Sequence, residues 1–257
     1  MISIVSPAKS LDFDVLQSEI GFSQCAFLND SQVLVNQLSA LNANEVSELM
    51  NVSVNLAELN SRRFKEWNLP FNTHNSKQAA FAFKGDVYKG LKIESFSNED
   101  LNYAQSHFRI LSGLYGILKP LDLIQPYRLE MGTSLENSNG KNLYEFWGSK
   151  LTNRLNNDIK DSDSTYLLNL ASNEYFKAVK PKDVKAKIIT PVFKDWKNGE
   201  YKMISFFAKK ARGLMASYQL KNKIKNPNDL KGFNEEGYVF NEDMSKNNNY
   251  VFTRIQQ

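Results

Sequence analysis

The stretch that decides the fold is residues 103–132, YAQSHFRILSGLYGILKPLDLIQPYRLEMG. A helix-like apolar run meets Gly113 and Gly116, turns through two prolines and then presents Arg128 and Glu130. Glycine lets the backbone turn tightly or approach another backbone closely. Because the leucines that follow are too apolar for a free loop, we expect this hairpin to be packed onto a core. Its polar end predicts either a structural Arg–Glu ion pair or one side of a functional site.

The chain has 257 residues, of which 42% are hydrophobic and 23% charged, as is typical of a soluble protein with a sizeable core. Strand and helix patterns alternate without a linker or an internal repeat. The sequence therefore predicts a single compact domain over residues 1–257, of the α+β (mixed α/β) class, with a mixed β-sheet core wrapped by helices.

Composition also indicates the compartment. The only cysteine, Cys25, excludes an internal disulfide and favours a reducing environment. The first residues, MISIVSPAK, do not resemble a signal peptide, and no stretch approaches the ~18 apolar residues of a membrane span. We expect a cytoplasmic monomer with no membrane partner.

Charge is distributed unevenly along the chain, although the net charge is only +4. Residues 10–61 contain seven carboxylates and no Lys or Arg, whereas residues 177–231 contain fourteen Lys and one Arg against four acids. This asymmetry indicates a polyanion as the partner of the basic third. The alternative is a solvated, lysine-rich surface, and the composition leaves both interpretations open.

Five short polar segments follow predicted strands or begin predicted helices. They are Lys9, after a strand at residues 2–5; Lys84, Asp86 and Tyr88, after a strand at 79–83; Arg128 and Glu130, after the hairpin that a helix at 98–111 enters; Ser172 and Glu174, after a strand at 165–171; and Lys209, Lys210 and Arg212, between a strand at 201–207 and a helix. Junctions of this kind gather at one edge of a sheet when the strands are parallel. The sequence therefore predicts one cleft in which cations outnumber carboxylates and Arg128 pairs with Glu130 or Glu174.

Several of these segments also have a structural interpretation. In that interpretation Lys9 is a surface lysine after a turn, Asp86 and Tyr88 are turn and packing residues, and the cations at 209–212 form a solvated basic turn. Against this, cations at the start of a helix oppose its positive end unless an anion binds there.

Several chemistries lack their motifs. The chain has no CxxC, HExxH, Walker loop, GxGxxG or GxSxG, and its two histidines, His74 and His107, lack the Glu-x-x-His spacing of di-iron bundles. We therefore predict no metal site, no cofactor and no direct iron storage. The carboxylates Asp86, Glu130 and Glu174 remain available for acid/base work, but no catalytic residue is assigned.

Seven segments together closely resemble the YaaA family. They are SPAK at residues 6–9, FKGDVY at 83–88, LSGLYGILKPLDLIQPYRLEMG at 111–132, NLYEFWG at 142–148, NLASNEYFKAVKP at 169–181, ISFFAKKARGLM at 204–215 and GFNEEGYVF at 232–240. The resemblance implies a bacterial role in resistance to peroxide stress, with iron-driven damage limited indirectly. It also implies DNA binding along a positively charged cleft and a helix-hairpin-helix element, here at Gly113 and Gly116.

Two functional hypotheses follow. In the first, the protein is not an enzyme and binds duplex or branched DNA with weak sequence specificity, through Lys9, Lys84, Arg128, Lys209, Lys210 and Arg212. In the second, it is an enzyme acting on a nucleotide, a nucleobase or another anionic small molecule, with Asp86, Tyr88, Glu130, Ser172 and Glu174 as polar residues of the cleft. The second hypothesis is motivated by these carboxylates, which a surface that only binds phosphate does not need.

Overall fold

Helices and strands interleave along the whole of the computed structural model, which describes residues 1–16 and 20–255. The strands are β1 (Ile2–Val5), β2 (Ser10–Leu11), β3 (Lys77–Gln78), β4 (Phe83–Lys84), β5 (Phe108–Ser112), β6 (Gly116–Leu118), β7 (Leu123–Ile124), β8 (Tyr166–Leu170), β9 (Lys187–Lys197), β10 (Glu200–Lys202), β11 (Val239–Phe240) and β12 (Asn249–Arg254). The helices are α1 (Leu28–Ser39), α2 (Ala43–Met50), α3 (Val54–Glu66), α4 (Ala79–Ala82), α5 (Asp86–Leu91), α6 (Asn98–His107), α7 (Leu143–Trp147), α8 (Lys150–Asp161), α9 (Asn173–Phe176) and α10 (Ser205–Lys221).

Eight of these strands form one mixed sheet, in the order β11-β12-β9-β8-β1-β5-β6, with β10 paired to β9. Five of the strands run parallel to one another, namely β5, β1, β8, β9 and β12. The other three are antiparallel to the strand they pair with: β6 to β5, β10 to β9 and β11 to β12. The mixed α/β class is therefore confirmed. Because β1, β5 and β8 point the same way, the loops that follow them meet at one edge of the sheet.

Strand β1 lies at the centre of this sheet, and all four of its residues are buried. Its Ser3 hydroxyl donates to Oε1 of Gln219 in α10, 3.0 Å away, so α10 covers that face of the sheet. Arg109, which pairs in register with Ile4, contacts α8 on the opposite face. A strand covered on both faces needs side chains that can all be buried, and ISIV meets this with three apolar residues and a serine that has a hydrogen-bond partner.

Helices α5 and α10 cross with their backbones in contact. A Cβ atom on Gly213 would lie 1.8 Å from the carbonyl oxygen of Val87, and one on Gly90 would lie 2.1 Å from that of Lys210. Only glycine fits at both positions, because a real Cβ never approaches an oxygen so closely. This crossing holds the basic part of α10 beside the segment that begins at Lys84.

The structure corrects three predicted elements. Residues 79–82 form the helical turn α4 instead of a strand, and the helix predicted at 98–111 ends at His107, after which residues 108–112 form β5. The strand predicted at 201–207 ends at Lys202, and α10 begins at Ser205. Short apolar runs fit helix and strand equally well, so pairing with distant strands decides between them.

Two of these corrections affect site assignments. Gly113 and Gly116 flank the turn of the β5–β6 hairpin, in which Ser112 pairs with Gly116, and no helix-hairpin-helix lies at these glycines. Lys209, Lys210 and Arg212 lie in the second and third turns of α10 and not at a junction before it. The predicted conflict between these cations and the helix start is therefore absent.

Candidate functional site

A cavity of about 440 Å³ opens at the edge of the sheet where β1 and β8 end. All five polar segments that the sequence singled out contribute to its lining, through Lys9, Lys84, Asp86, Tyr88, Arg128, Glu130, Ser172, Glu174, Lys209 and Arg212. Five of these residues are cations and three are carboxylates. The predicted convergence of the five segments is therefore present in the structure.

Three of the predicted site residues do not line the cavity. Lys210 lies on another side of α10, where its ammonium group forms an ion pair with Glu236. Gly113 and Gly116 lie in the hairpin beneath the site. A Cβ on Gly113 would lie 2.3 Å from the carbonyl oxygen of Leu129, so this glycine supports the Arg128–Glu130 segment from below.

Hydroxyl groups join the loops after β1 and β8 at the back of the cavity. The Ser6 hydroxyl donates to Oγ of Ser172 at 3.2 Å and accepts from the backbone N–H of Ser172 at 2.9 Å. The Tyr88 hydroxyl donates to the carbonyl oxygen of Ser6 at 3.1 Å. Ser6 and Ser172 thus hold the two loops together, Tyr88 ties α5 to the loop after β1, and burial raises the pKa of Tyr88 well above its ordinary value.

Glu130 bridges two cations on one wall. Its Oε1 atom accepts from Nη2 of Arg128 at 3.1 Å, and its Oε2 atom lies 2.8 Å from Nζ of Lys9. The expected pairing of Arg128 with Glu130 is therefore present. One donor is left over, because Nε of Arg128 is buried and has no hydrogen-bond partner among the described residues.

Arg212, on α10, lines the same cavity as Arg128. Burial lowers the pKa of its guanidinium group, because the charged form is poorly solvated there. Within residues 1–16 and 20–255, Arg212 forms neither a hydrogen bond nor an ion pair, unlike the Arg128 head group. A partly buried guanidinium group without an anion is costly, and a bound anion would remove that cost.

The other charged side chains of the lining have partners in part. Lys84 lies 3.3 Å from Asp12 and 3.5 Å from Glu94; burial alone would lower its pKa, but these carboxylates raise it. One oxygen of Glu174 accepts from the backbone N–H of Gly132 at 2.9 Å. Asp86 lies 3.8 Å from Lys89, a loose contact that leaves its carboxylate available to the cavity.

Sequence reasoning missed two aromatic members of the lining, Tyr127 and Tyr175. The Tyr127 hydroxyl bonds to Oγ of Ser112 at 2.6 Å, and burial raises the pKa of both tyrosines. Both belong to segments already chosen for their charges, PYRLEMG and SNEYF. Tyr127 directly precedes Arg128, and Tyr175 directly follows Glu174. Their rings give the cavity an apolar wall beside its cations.

Other reactive groups lie outside the cavity. Cys25 is buried, its thiol donates to the carbonyl oxygen of Leu123, and burial raises its pKa well above the ordinary value. A thiol that rarely ionises reacts slowly with peroxide. The described part of the chain contains no cluster of three His, Cys, Asp or Glu side chains that could hold a metal ion. None of the helices in residues 1–16 and 20–255 has both the length and the apolar content that a membrane crossing requires.

Comparison with known proteins gives matches over nearly the whole chain. A family model described as "Peroxide stress protein YaaA" matches residues 1–244. The chain is 55% identical over 254 residues to a UPF0246 protein of Colwellia psychrerythraea, covering 99% of both chains. It is 54% identical over 257 residues to a UPF0246 protein of Aliivibrio fischeri, covering 100% of this chain and 99% of that one. A UPF0246 protein of Saccharophagus degradans is 54% identical over 256 residues, with both chains fully covered.

Proposed function

We propose a DNA-binding function for this chain, which belongs to the family of the peroxide stress protein YaaA. In this proposal the cavity where β1 and β8 end binds the phosphate groups of the DNA. The observation that carries the proposal is the pair of arginines. Arg212 has no partner among the described residues, and Nε of Arg128 is a buried donor without an acceptor. Guanidinium groups with free donors can form charge-assisted hydrogen bonds to the oxygens of a phosphate group.

The exposed cations around these arginines extend the contact. Lys209 is exposed on α10, one helical turn before Arg212, and the side chain of Lys9 is exposed on the other rim of the cavity. A ligand held through phosphates alone is bound with little sequence preference, because phosphates carry no base information. Duplex and branched DNA are both acceptable ligands. Lys210, engaged with Glu236, has no part in this contact.

In this proposal the protein acts in the cytoplasm, as a monomer, during peroxide stress. Its effect on iron-driven damage is indirect: DNA that is covered by protein offers fewer phosphates to loosely bound iron. The protein itself binds no iron in this scheme. Its only cysteine is protected from peroxide, so it responds to the damage and not to the oxidant.

The test is the affinity for a fluorescent 20-base-pair duplex over a range of salt concentrations. We expect log K to fall linearly with log salt for the wild-type protein, and Lys209→Glu to weaken binding about tenfold for every sequence. The matched control is Lys65→Glu, the same charge reversal at an exposed lysine of α3. An affinity that does not respond to salt, or equal effects of the two variants, would refute the proposal.

A second candidate function is catalysis on a nucleotide-sized anion. It is favoured by the cavity volume of about 440 Å³, which suits one small molecule and excludes a duplex from the interior. The carboxylate of Asp86, loosely paired with Lys89, would be the acid or base. Calorimetric titration with nucleoside monophosphates separates the two functions. Saturable binding that Arg212→Gln abolishes, without any duplex binding by the wild-type protein, would establish this candidate and exclude the first.

A further inference from the structure

A β-hairpin, which we call the arm, is formed by the end of β9 and by β10 at the edge of the sheet where β1 and β8 end. Strand β8 pairs with only the first three residues of β9, whereas β9 continues to Lys197. About six residues of β9 therefore extend past the end of β8; the first four stay paired with β12, and Trp196 and Lys197 continue beyond it. The arm turns at Asn198-Gly199, both with positive φ, as the tightest hairpin turn requires. Strand β10 and residues 203–204 then lead directly into α10.

The arm and the start of α10 carry large apolar side chains that are exposed. Trp196 is 44% exposed, Met203 55% and Phe206 52%. Tyr201 lies opposite Trp196 in the hairpin, and the centres of their rings are 4.9 Å apart in an edge-to-face contact. Lys197 is exposed beside them, and Lys202 pairs only with the equally exposed Glu200. Aromatic rings and cations thus alternate along the arm.

The arm is continuous with the cavity. Phe206, Lys209 and Arg212 are spaced three residues apart on α10, so they lie on adjoining strips of its surface. The series begins at an exposed ring, passes an exposed lysine and ends at the partnerless arginine in the cavity. A chain of alternating bases and phosphates has this same alternation of flat and anionic groups.

We propose that the arm binds a single-stranded segment of DNA, whose bases stack on Trp196 and Phe206 and whose phosphates lead along Lys209 to Arg212. This inference rests on the proposed phosphate site and adds a ligand class, unpaired strands such as gaps, ends and branch points. Base stacking on aromatic side chains tolerates any sequence, since every base has a π face.

Single-stranded DNA fits this surface better than the two other candidates. An anionic membrane binds exposed aromatics too, but its phosphates lie in a surface and do not extend into a cavity of about 440 Å³ to reach an arginine there. A second copy of this chain would bring its own lysines against Lys197 and Lys202, because a symmetric interface places the same patch on both sides. A nucleic-acid strand satisfies the rings, the cations and the cavity together.

Intrinsic fluorescence gives a direct test, because Trp196 is the only exposed one of the three tryptophans; Trp67 and Trp147 are 6% and 0% exposed. We expect a 16-residue oligo(dT) to quench the wild-type emission to saturation, and Trp196→Phe to lose most of the quenching. Phe206→Ala should weaken oligo(dT) binding about tenfold, while the affinity for a blunt duplex changes less than twofold. The matched control is Phe22→Ala, which removes a ring that is also 52% exposed.

The outcomes separate this inference from the proposed function. Duplex binding that stays salt-dependent, with no quenching by oligo(dT), overturns the arm inference and leaves the proposed function standing. Equal effects of Phe206→Ala and Phe22→Ala overturn it in the same way. Quenching by anionic vesicles alone, or a dimer that Phe206→Ala dissociates, assigns the arm to a membrane or to a second copy. Loss of both DNA forms in Arg212→Gln, with loss of oligo(dT) alone in Phe206→Ala, supports both proposals.

Discussion

Arg109, which is buried, and Arg212, which is partly buried, differ in their hydrogen-bond partners. Arg109, on β5, is buried against α8, where Nε donates to Oδ2 of Asp158 at 2.7 Å and Nη1 donates to two backbone carbonyls. Arg154 occupies the other oxygen of Asp158 at 3.0 Å. Arg212, also largely removed from water, has no such partners among the described residues. The difference teaches that the fold satisfies the first arginine, whereas no described residue satisfies the second, the one to which our proposal assigns a ligand.

The largest loss of stability should come from removing the carboxylate that pairs with Arg109. Asp158→Ala leaves Arg109 buried and unpaired, so we expect a loss of about 3–5 kcal/mol in the free energy of unfolding. Arg212→Met should leave stability unchanged or raise it by up to about 1 kcal/mol, because it removes an uncompensated charge. Urea denaturation measures both, with Asp161→Ala, an exposed carboxylate of the same helix α8, as the control. Similar losses at Asp158 and Arg212 would contradict the comparison.

A smaller loss of stability is expected at the crossing of α5 and α10, which holds α10 in place. Gly213→Ala puts a Cβ 1.8 Å from the carbonyl oxygen of Val87, so the two helices must separate. We expect a loss of about 1–3 kcal/mol in stability and weaker duplex binding, since Lys209 and Arg212 move with α10. Gly21→Ala is the control, because a Cβ there meets nothing within 4 Å. Unchanged stability and affinity would show that the crossing does not position the cations.

The pH dependence sharpens the contrast further. Burial alone would raise the pKa of Asp158, but Arg109 and Arg154 outweigh it and lower this pKa below the ordinary value. A lowered pKa adds stability that is complete above the unfolded value, about 3.9, and is lost as pH falls through the folded value. The stability difference between wild type and Asp158→Asn should therefore be constant above about pH 5 and shrink below about pH 4, by about 1.4 kcal/mol per unit. A difference independent of pH down to 2.5 would count against the ion pair.

The smallest loss of stability is expected for Arg128→Ala. The side chain of Arg128 is 17% exposed and that of its partner Glu130 is 30% exposed, so water screens the pair. Glu130 also keeps Lys9 at 2.8 Å when Arg128 is gone. We expect a loss of about 1 kcal/mol in stability, together with a loss of about tenfold in duplex affinity. A loss above 3 kcal/mol would place Arg128 with Arg109, among the residues that the fold requires.

Local sequence determined a good part of this molecule. The mostly apolar run at residues 2–5 indicated a short buried strand, and its one polar residue, Ser3, is satisfied by Gln219. Asn198-Gly199 indicated a tight hairpin, since both residues tolerate positive φ. The meeting of Lys9 with Ser172 and Glu174 followed from strand direction, because β1 and β8 are parallel and end at the same edge of the sheet.

Other features depended on contacts between distant residues. Residues 108–112 become a strand, and not the end of a helix, because β1 supplies a parallel partner in register with them. Lys209 and Lys210 are neighbours with the same chemistry, yet one lines the cavity and the other pairs with Glu236. Successive residues of a helix point about 100° apart, and the rotation of α10 is set by the glycine crossing with α5. No local pattern reports that rotation, nor which arginine finds a carboxylate, because both depend on elements far apart in the chain.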